Sequence, residues 1–201
     1  MDCRPQAAGV TIAVTSRHRF LDPARIEAAL TEAADVAKKG RVKVALAGGV
    51  ALQLYGSDRF TADLDLVADR YPSDIKRRDV LTFGGVRTAL SGVPVDFIVR
   101  DDQYADLYDE AIERAQRVAG VPVPVVTLPY LAAMKMAAGR GKDEQDLHFI
   151  LSRPGVSYRA IREVIARHLG PYAGDELDAI RTIAAWEKRA GRRAPRGKRR
   201  A

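Results

Sequence analysis

Residues 46–69, LAGGVALQLYGSDRFTADLDLVAD, decide how this chain is read. An apolar run, VKVALA (42–47), meets two adjacent glycines, Gly48 and Gly49. A short helical stretch, VALQLY, follows and Gly56 closes it. A second apolar run, ADLDLV, then carries Asp63 and Asp65. In a strand alternate residues face one side, so these two carboxylates point together with Cα atoms about 6.5–7 Å apart. Leu64 and Leu66 face the core. Like charges at that spacing repel. A divalent cation would offset the repulsion, and hard carboxylate oxygens suit Mg²⁺ (or Mn²⁺), which leans on substrate phosphates for the rest of its shell. The plainer reading is a half-exposed strand with polar outer residues.

The glycines add to the first reading. Gly48 and Gly49 turn a strand into a helix, where a phosphate could approach the backbone and meet free N–H groups. A third carboxylate, Asp96, sits in VDFIV (95–99). With Val95, Phe97 and Val99 inward, Asp96 faces the other side, and three carboxylates converge if the two strands are neighbours. In TLPYLAAMKMAAG (127–139) the single charge is Lys135, within an apolar stripe, so it must either snorkel to the surface or meet an anion. GRGKDEQDL follows. Asp143 there reads as a helix cap, and Asp146 is open between a structural role and one of orienting Lys135.

Along the chain, mixed elements come first and helices afterwards. VTIAV (10–14) and 42–47 read as strands, and Asp22-Pro23 as a cap and first turn of a helix stopped at Lys38-Lys39-Gly40. VRTAL and VDFIV flank Ser91-Gly92-Val93-Pro94 as a hairpin, QYADLYDEAIERAQRV (103–118) is a helix, and VPVPVV (121–126) suits a sheet edge. Helices are expected at 128–138, 143–151, 158–169 and 175–189. The order argues for an α+β body with a mixed sheet and flanking helices, followed by a helical portion. The expected division is 1–126 for the core, 127–187 for the helical part and 188–201 for a disordered basic tail.

That tail, KRAGRRAPRGKRRA, holds eight Lys or Arg and no acid, so removing it takes the net charge from +7 to −1. Either it grips phosphates of RNA or DNA without sequence preference, or it is a solubilising end. The one cysteine, Cys3, excludes an internal disulfide framework and fits a reducing cytoplasm. No apolar run reaches the length of a membrane span, and the N-terminus does not read as a signal peptide. His18, His148 and His168 have no ligand spacing. Trp186 reads as docking the last helix. The absence of G-x-S-x-G and of a P-loop G-K-[ST] argues against acyl transfer and Walker-type NTPase chemistry.

Taken together, Gly48-Gly49, Asp63-x-Asp65 and Asp96 resemble the polymerase-β-like nucleotidyltransferase superfamily. GGVALQLYG, the segment from Arg59 and Thr61 to Asp65, LAAMKMAAGR and KDEQDL are most similar to its AbiEii/MenT-like toxin branch, over residues 42–151. The resemblance implies a nucleotidyltransferase-type fold and Mg²⁺-dependent transfer of an NMP from an NTP to an acceptor. It implies Asp63, Asp65 and Asp96 at the metal, with Asp96 helping to activate the attacking hydroxyl. Gly48 and Gly49 would hold phosphates, Lys135 would neutralise the triphosphate, and Arg59 and Thr61 would line the pocket. The acceptors implied for the wider group are tRNA 3′ ends, protein side chains and antibiotics, and the first reading is tRNA, for the toxin of a toxin–antitoxin pair with a cognate antitoxin partner. Two alternatives stand: a catalytically silent nucleotide- or RNA-binding module, and an enzyme acting on a small hydroxylated molecule.

Overall fold

A computed structural model describes residues 22–73, 75, 79–81 and 84–193, without the side chains of 184 and 186–193. The strand expected at 10–14, Cys3, His18, the side chain of Trp186 and residues 194–201 lie outside that set.

Helix α1 (Pro23–Gly40) starts where the Asp22 carboxylate accepts the Ala24 N–H at 3.1 Å. It ends at Gly40, where the Lys38-Lys39-Gly40 signature places the stop, but the glycine is not the residue that turns the chain. Arg41 itself takes the left-handed conformation, φ 53°, and its N–H closes onto the carbonyls of Ala37 and Lys38. Strand β1 (Val44–Ala47) runs straight into α2 (Gly48–Leu54). Then come β2 (Leu64–Ala68), a two-residue β3 (Asp79–Val80), β4 (Val86–Leu90) and β5 (Val93–Ile98). The described strands form one mixed sheet in the order β1-β2-β5-β4-β3, in which β2 and β5 run parallel and the other named pairs antiparallel.

The β4–β5 hairpin turns on Ser91 and Gly92, both at positive φ (46° and 72°), as a two-residue hairpin of right-handed twist demands. A serine there is unfavourable, and α1 compensates. Glu32 accepts from the Ser91 N–H at 2.6 Å and from its hydroxyl at 2.9 Å, while Arg25 donates to the Gly92 carbonyl at 2.8 Å. Pro94 lies inside β5 rather than in the turn.

Helix α3 (Ala105–Glu113) stops short of the expected 118 because Gln116 leaves the helix to exchange backbone hydrogen bonds with Val125, at 2.8 and 2.7 Å. Residues 121–126 do extend the sheet edge. The Leu46 N–H donates to the Pro124 carbonyl and the Val126 N–H to that of Leu46. From there the described chain is helical: α4 (Leu128–Ala138), α5 (Gly141–Ser152), α6 (Tyr158–Leu169) and α7 (Pro171–Arg193). Helix α7 therefore continues past Lys188, where disorder was expected to begin.

The core explains why these strands read as apolar runs. Leu64, Leu66, Val95 and Phe97 are fully buried on one face of the sheet, as alternation requires. Helix α3 packs over β1 and β2 and also against α4, so it joins the sheet to the helices. Among the described residues no helix is long and apolar enough to cross a membrane.

Candidate active site

Asp63 sits one residue ahead of β2 and Asp65 one residue inside it. The parallel register places Asp65 directly beside Asp96 of β5, and the β1 register places Ala47, the last residue before the glycine turn, on its other side. The three acids thus share one end of the central strands. This crowding is visible in Asp65. Its carboxyl is pushed up to about 6, first by burial and then by Asp63, with Asp96 adding to the repulsion and Lys135 opposing it.

The glycines are needed for that carboxylate. Gly48 has φ +61°, and a Cβ there would fall 1.7 Å from an Asp65 carboxylate oxygen. A Cβ on Gly49 would fall 2.7 Å from the Thr61 Cβ. The space over both glycines is therefore filled by side chains of this chain. Thr61 in turn donates to the Asp63 carboxylate at 3.1 Å. Gly48→Ala is expected to destabilise the fold by about 1–3 kcal/mol through left-handed strain and overlap. Thermal unfolding of the purified variant checks this.

Asp96 is 3% exposed and already partnered. Arg87, directly opposite it on β4, donates Nε to Oδ1 and Nη2 to Oδ2, both at 2.7 Å. The same Nη2 reaches the Asp63 carboxylate at 3.2 Å. These bonds, the one to Asp96 foremost, hold the Arg87 guanidinium firmly protonated. Sequence reasoning passed over Arg87, although a two-residue turn at Ser91-Gly92 dictates its pairing with Asp96. Among the described residues no three acidic, His or Cys side chains form a ready-made metal cage.

Lys135, 7% exposed, meets anions of the protein itself. Its ammonium bridges Asp143 at 2.9 Å and Asp146 at 2.7 Å. Asp146 also pairs with Arg59, which ties the loop before Asp63 to α5. Asp143 caps α5 by accepting the Arg140 N–H at 3.2 Å and also takes the Arg140 guanidinium Nε at 2.7 Å. Burial pushes the Asp143 carboxyl up, but Arg140 and Lys135 together hold it below its ordinary value.

A cavity of about 250 Å³ opens between the sheet and the helices. Gly48, Asp65 and Lys135 line it, whereas Arg59, Thr61, Asp63 and Asp96 do not. Its other polar walls, Arg100, Tyr108 and Arg140, were not singled out in the sequence. Arg100 lies over the rings of Tyr104 and Tyr108, 5.2 and 5.4 Å from their centroids. Val67, Ile98, Leu131 and Met134 supply an apolar floor.

No protein-family model matches the sequence, and no curated protein is similar to it. Solved structures with a similar chain path include an antigenic nucleotidyltransferase-like protein from Paracoccidioides brasiliensis, at 16% identity and TM-score 0.45, covering 82% of this chain and 95% of that one. JHP933 from Helicobacter pylori is similar at 14% identity and TM-score 0.44, over 85% and 97% of the two chains. The antibiotic-resistance factor ANT(2'')-Ia is similar at 17% identity and TM-score 0.40, over 84% and 96%. These likenesses are distant, and the chemistry has to be read from this chain's own residues.

Proposed function

We propose that the protein is a nucleotidyltransferase that moves an NMP from an NTP to an acceptor hydroxyl. The observation that carries this reading is Asp65. Its carboxylate is crowded by two others at the end of a central strand and faces a cavity whose remaining charges are cationic. Such a site suits a ligand rich in phosphate together with a hard cation.

The donor chemistry fits Mg²⁺ at Asp63 and Asp65, two carboxylates close enough that Asp63 helps raise the Asp65 carboxyl. The ion would supply neutralisation of phosphate charge. The protein's own part is mostly positioning. Gly48 lets the turn pass close to Asp65. Arg100 and Arg140, held by Asp102 and Asp143, would bring positive charge toward phosphate oxygens, and the apolar floor suits a base or ribose. Lys135 contributes through the Asp143–Asp146 pair, whose position it sets, and its charge still favours the anionic form of Asp65. In the transfer the acceptor hydroxyl oxygen bonds to the α-phosphorus and gives up its proton to water, the α–β bridging bond breaks, and pyrophosphate leaves with that electron pair.

The basic residues from Lys188 onward would bring a polyanionic acceptor, with tRNA the acceptor proposed, and a toxin held in check by an antitoxin the biological setting. A second reading has its own support. Arg87 already balances Asp96 and Asp63, which is what a nucleotide-binding module without catalysis would also want. Incubation with each α-labelled NTP, Mg²⁺ or Mn²⁺, and total RNA, protein or hydroxylated small molecules separates the two. Label is expected at RNA 3′ ends. NTP binding without label on any acceptor would favour the silent module, and label on a small molecule would move the acceptor.

A further inference from the structure

Arg87 stands out because the proposed transfer gives it no task. It is the cation nearest two of the three acids, and it reaches them from the neighbouring strand by hairpin register rather than by a loop that could be rearranged. Both oxygens of Asp96 receive a charge-assisted bond at 2.7 Å, the strongest geometry a guanidinium offers a carboxylate. The bond to Asp63 at 3.2 Å is longer, and the Asp63 side chain is 36% exposed against 4% for Asp96. Asp63 is therefore the partner that can turn away, and Asp96 the one that cannot. Asp65 receives no hydrogen bond from Arg87 and is the acid left with unbalanced charge.

Resting on the nucleotidyltransferase reading, we infer that Arg87 is a resident cation that stands in for one of two divalent ions, so that Asp63 and Asp65 hold a single ion and Asp96 holds none. A dication on Asp96 would have to displace a guanidinium that already bonds both carboxylate oxygens at 2.7 Å, and the buried carboxylate cannot turn to meet the ion elsewhere. Asp96 then acts as a positioning residue. It anchors Arg87, and Arg87 in turn balances part of the charge of Asp63 through its bond at 3.2 Å.

The test counts ions. Mn²⁺ binding is measured by electron paramagnetic resonance and calorimetry on the full chain, with and without a non-hydrolysable NTP. Wild type is expected to bind one Mn²⁺ per chain. Arg87→Ala, which frees Asp96, is expected to bind two, and Arg87→Lys one, because it keeps the charge. Circular dichroism confirms that each variant is folded. If Arg87→Ala does not fold, the wild-type and Arg87→Lys counts still decide. Two ions on the wild-type chain would overturn the role of Arg87 and leave the nucleotidyltransferase reading standing. One ion on a folded Arg87→Ala would overturn it too. No ion on the wild-type chain, with or without nucleotide, would overturn both.

Discussion

Asp65→Asn is expected to make the protein more stable at neutral pH and to remove nucleotidyl transfer. The carboxyl of Asp65 is raised from 3.8 to about 6 in the fold, chiefly by burial and then by Asp63. An acid raised in this way binds its proton more tightly folded than unfolded. Its favourable contribution is full below pH 3.8, fades as pH climbs, and is gone above about 6, where a buried charge stands uncompensated. The shift corresponds to roughly 3 kcal/mol at most. Asparagine keeps the shape and drops the charge, so it should recover about 1–3 kcal/mol at pH 7–8, worth about 2–4 °C in Tm per kcal/mol for a chain of this size. The gap between variant and wild type should widen from pH 4 to pH 7. Mg²⁺ should then narrow it, because an ion that binds only the folded wild type stabilises only that protein. Transfer should fall by roughly 10²–10³-fold or more, as for loss of a group that stabilises transition-state charge. An Asp65→Asn protein destabilised equally at every pH would mean that the carboxylate is held by hydrogen bonds that outweigh its repulsions.

The second large effect is expected at Lys135. Its ammonium lies between Asp143 and Asp146, which are 1% and 2% exposed. Lys135→Met fits the apolar stripe of α4 but leaves two buried carboxylates short of a counter-charge. Breaking a buried ion pair from one side costs about 3–5 kcal/mol, more than the intact pair contributes, because the orphaned charge stays desolvated. A urea midpoint shifted down without change in slope would register this as lost stability. Adding Asp146→Asn to Lys135→Met should return part of the loss. A loss below about 1 kcal/mol would show that Arg59 and Arg140 alone can hold the two acids.

These two residues also mark how far the sequence could be read. Alternation in ADLDLV was enough to place Leu64 and Leu66 in the core, whereas Asp63 lies just ahead of the strand that holds Asp65. The lone charge in LPYLAAMKMAA was enough to say that Lys135 must reach the surface or find an anion. Asp146 was open as one such anion, but that Asp143 shares the ammonium was not legible. Asp143 and Asp146 come from the next helix, and only the packing of α4 on α5 brings them to 2.9 and 2.7 Å. The glycines show the same division. Two glycines after a strand announce a turn that admits something close to the backbone. What they admit first is Asp65 and Thr61, which requires β2 to lie beside β1.

Arg87 was recoverable and was missed. A two-residue turn at Ser91-Gly92 pairs Arg87 with Asp96 by counting alone, so local sequence held that ion pair. The convergence of Asp96 with Asp65 was of another kind, because it depends on β2 and β5 lying parallel, with residues 69–92 between them. By itself the sequence determined what is local: periodicities of two and 3.6, turn chemistry, and which charges sit in apolar surroundings. The tertiary structure alone decided which distant charges neutralise one another. Coulomb energy depends on separation in space and on burial, and a linear chain specifies neither until its strands and helices have packed.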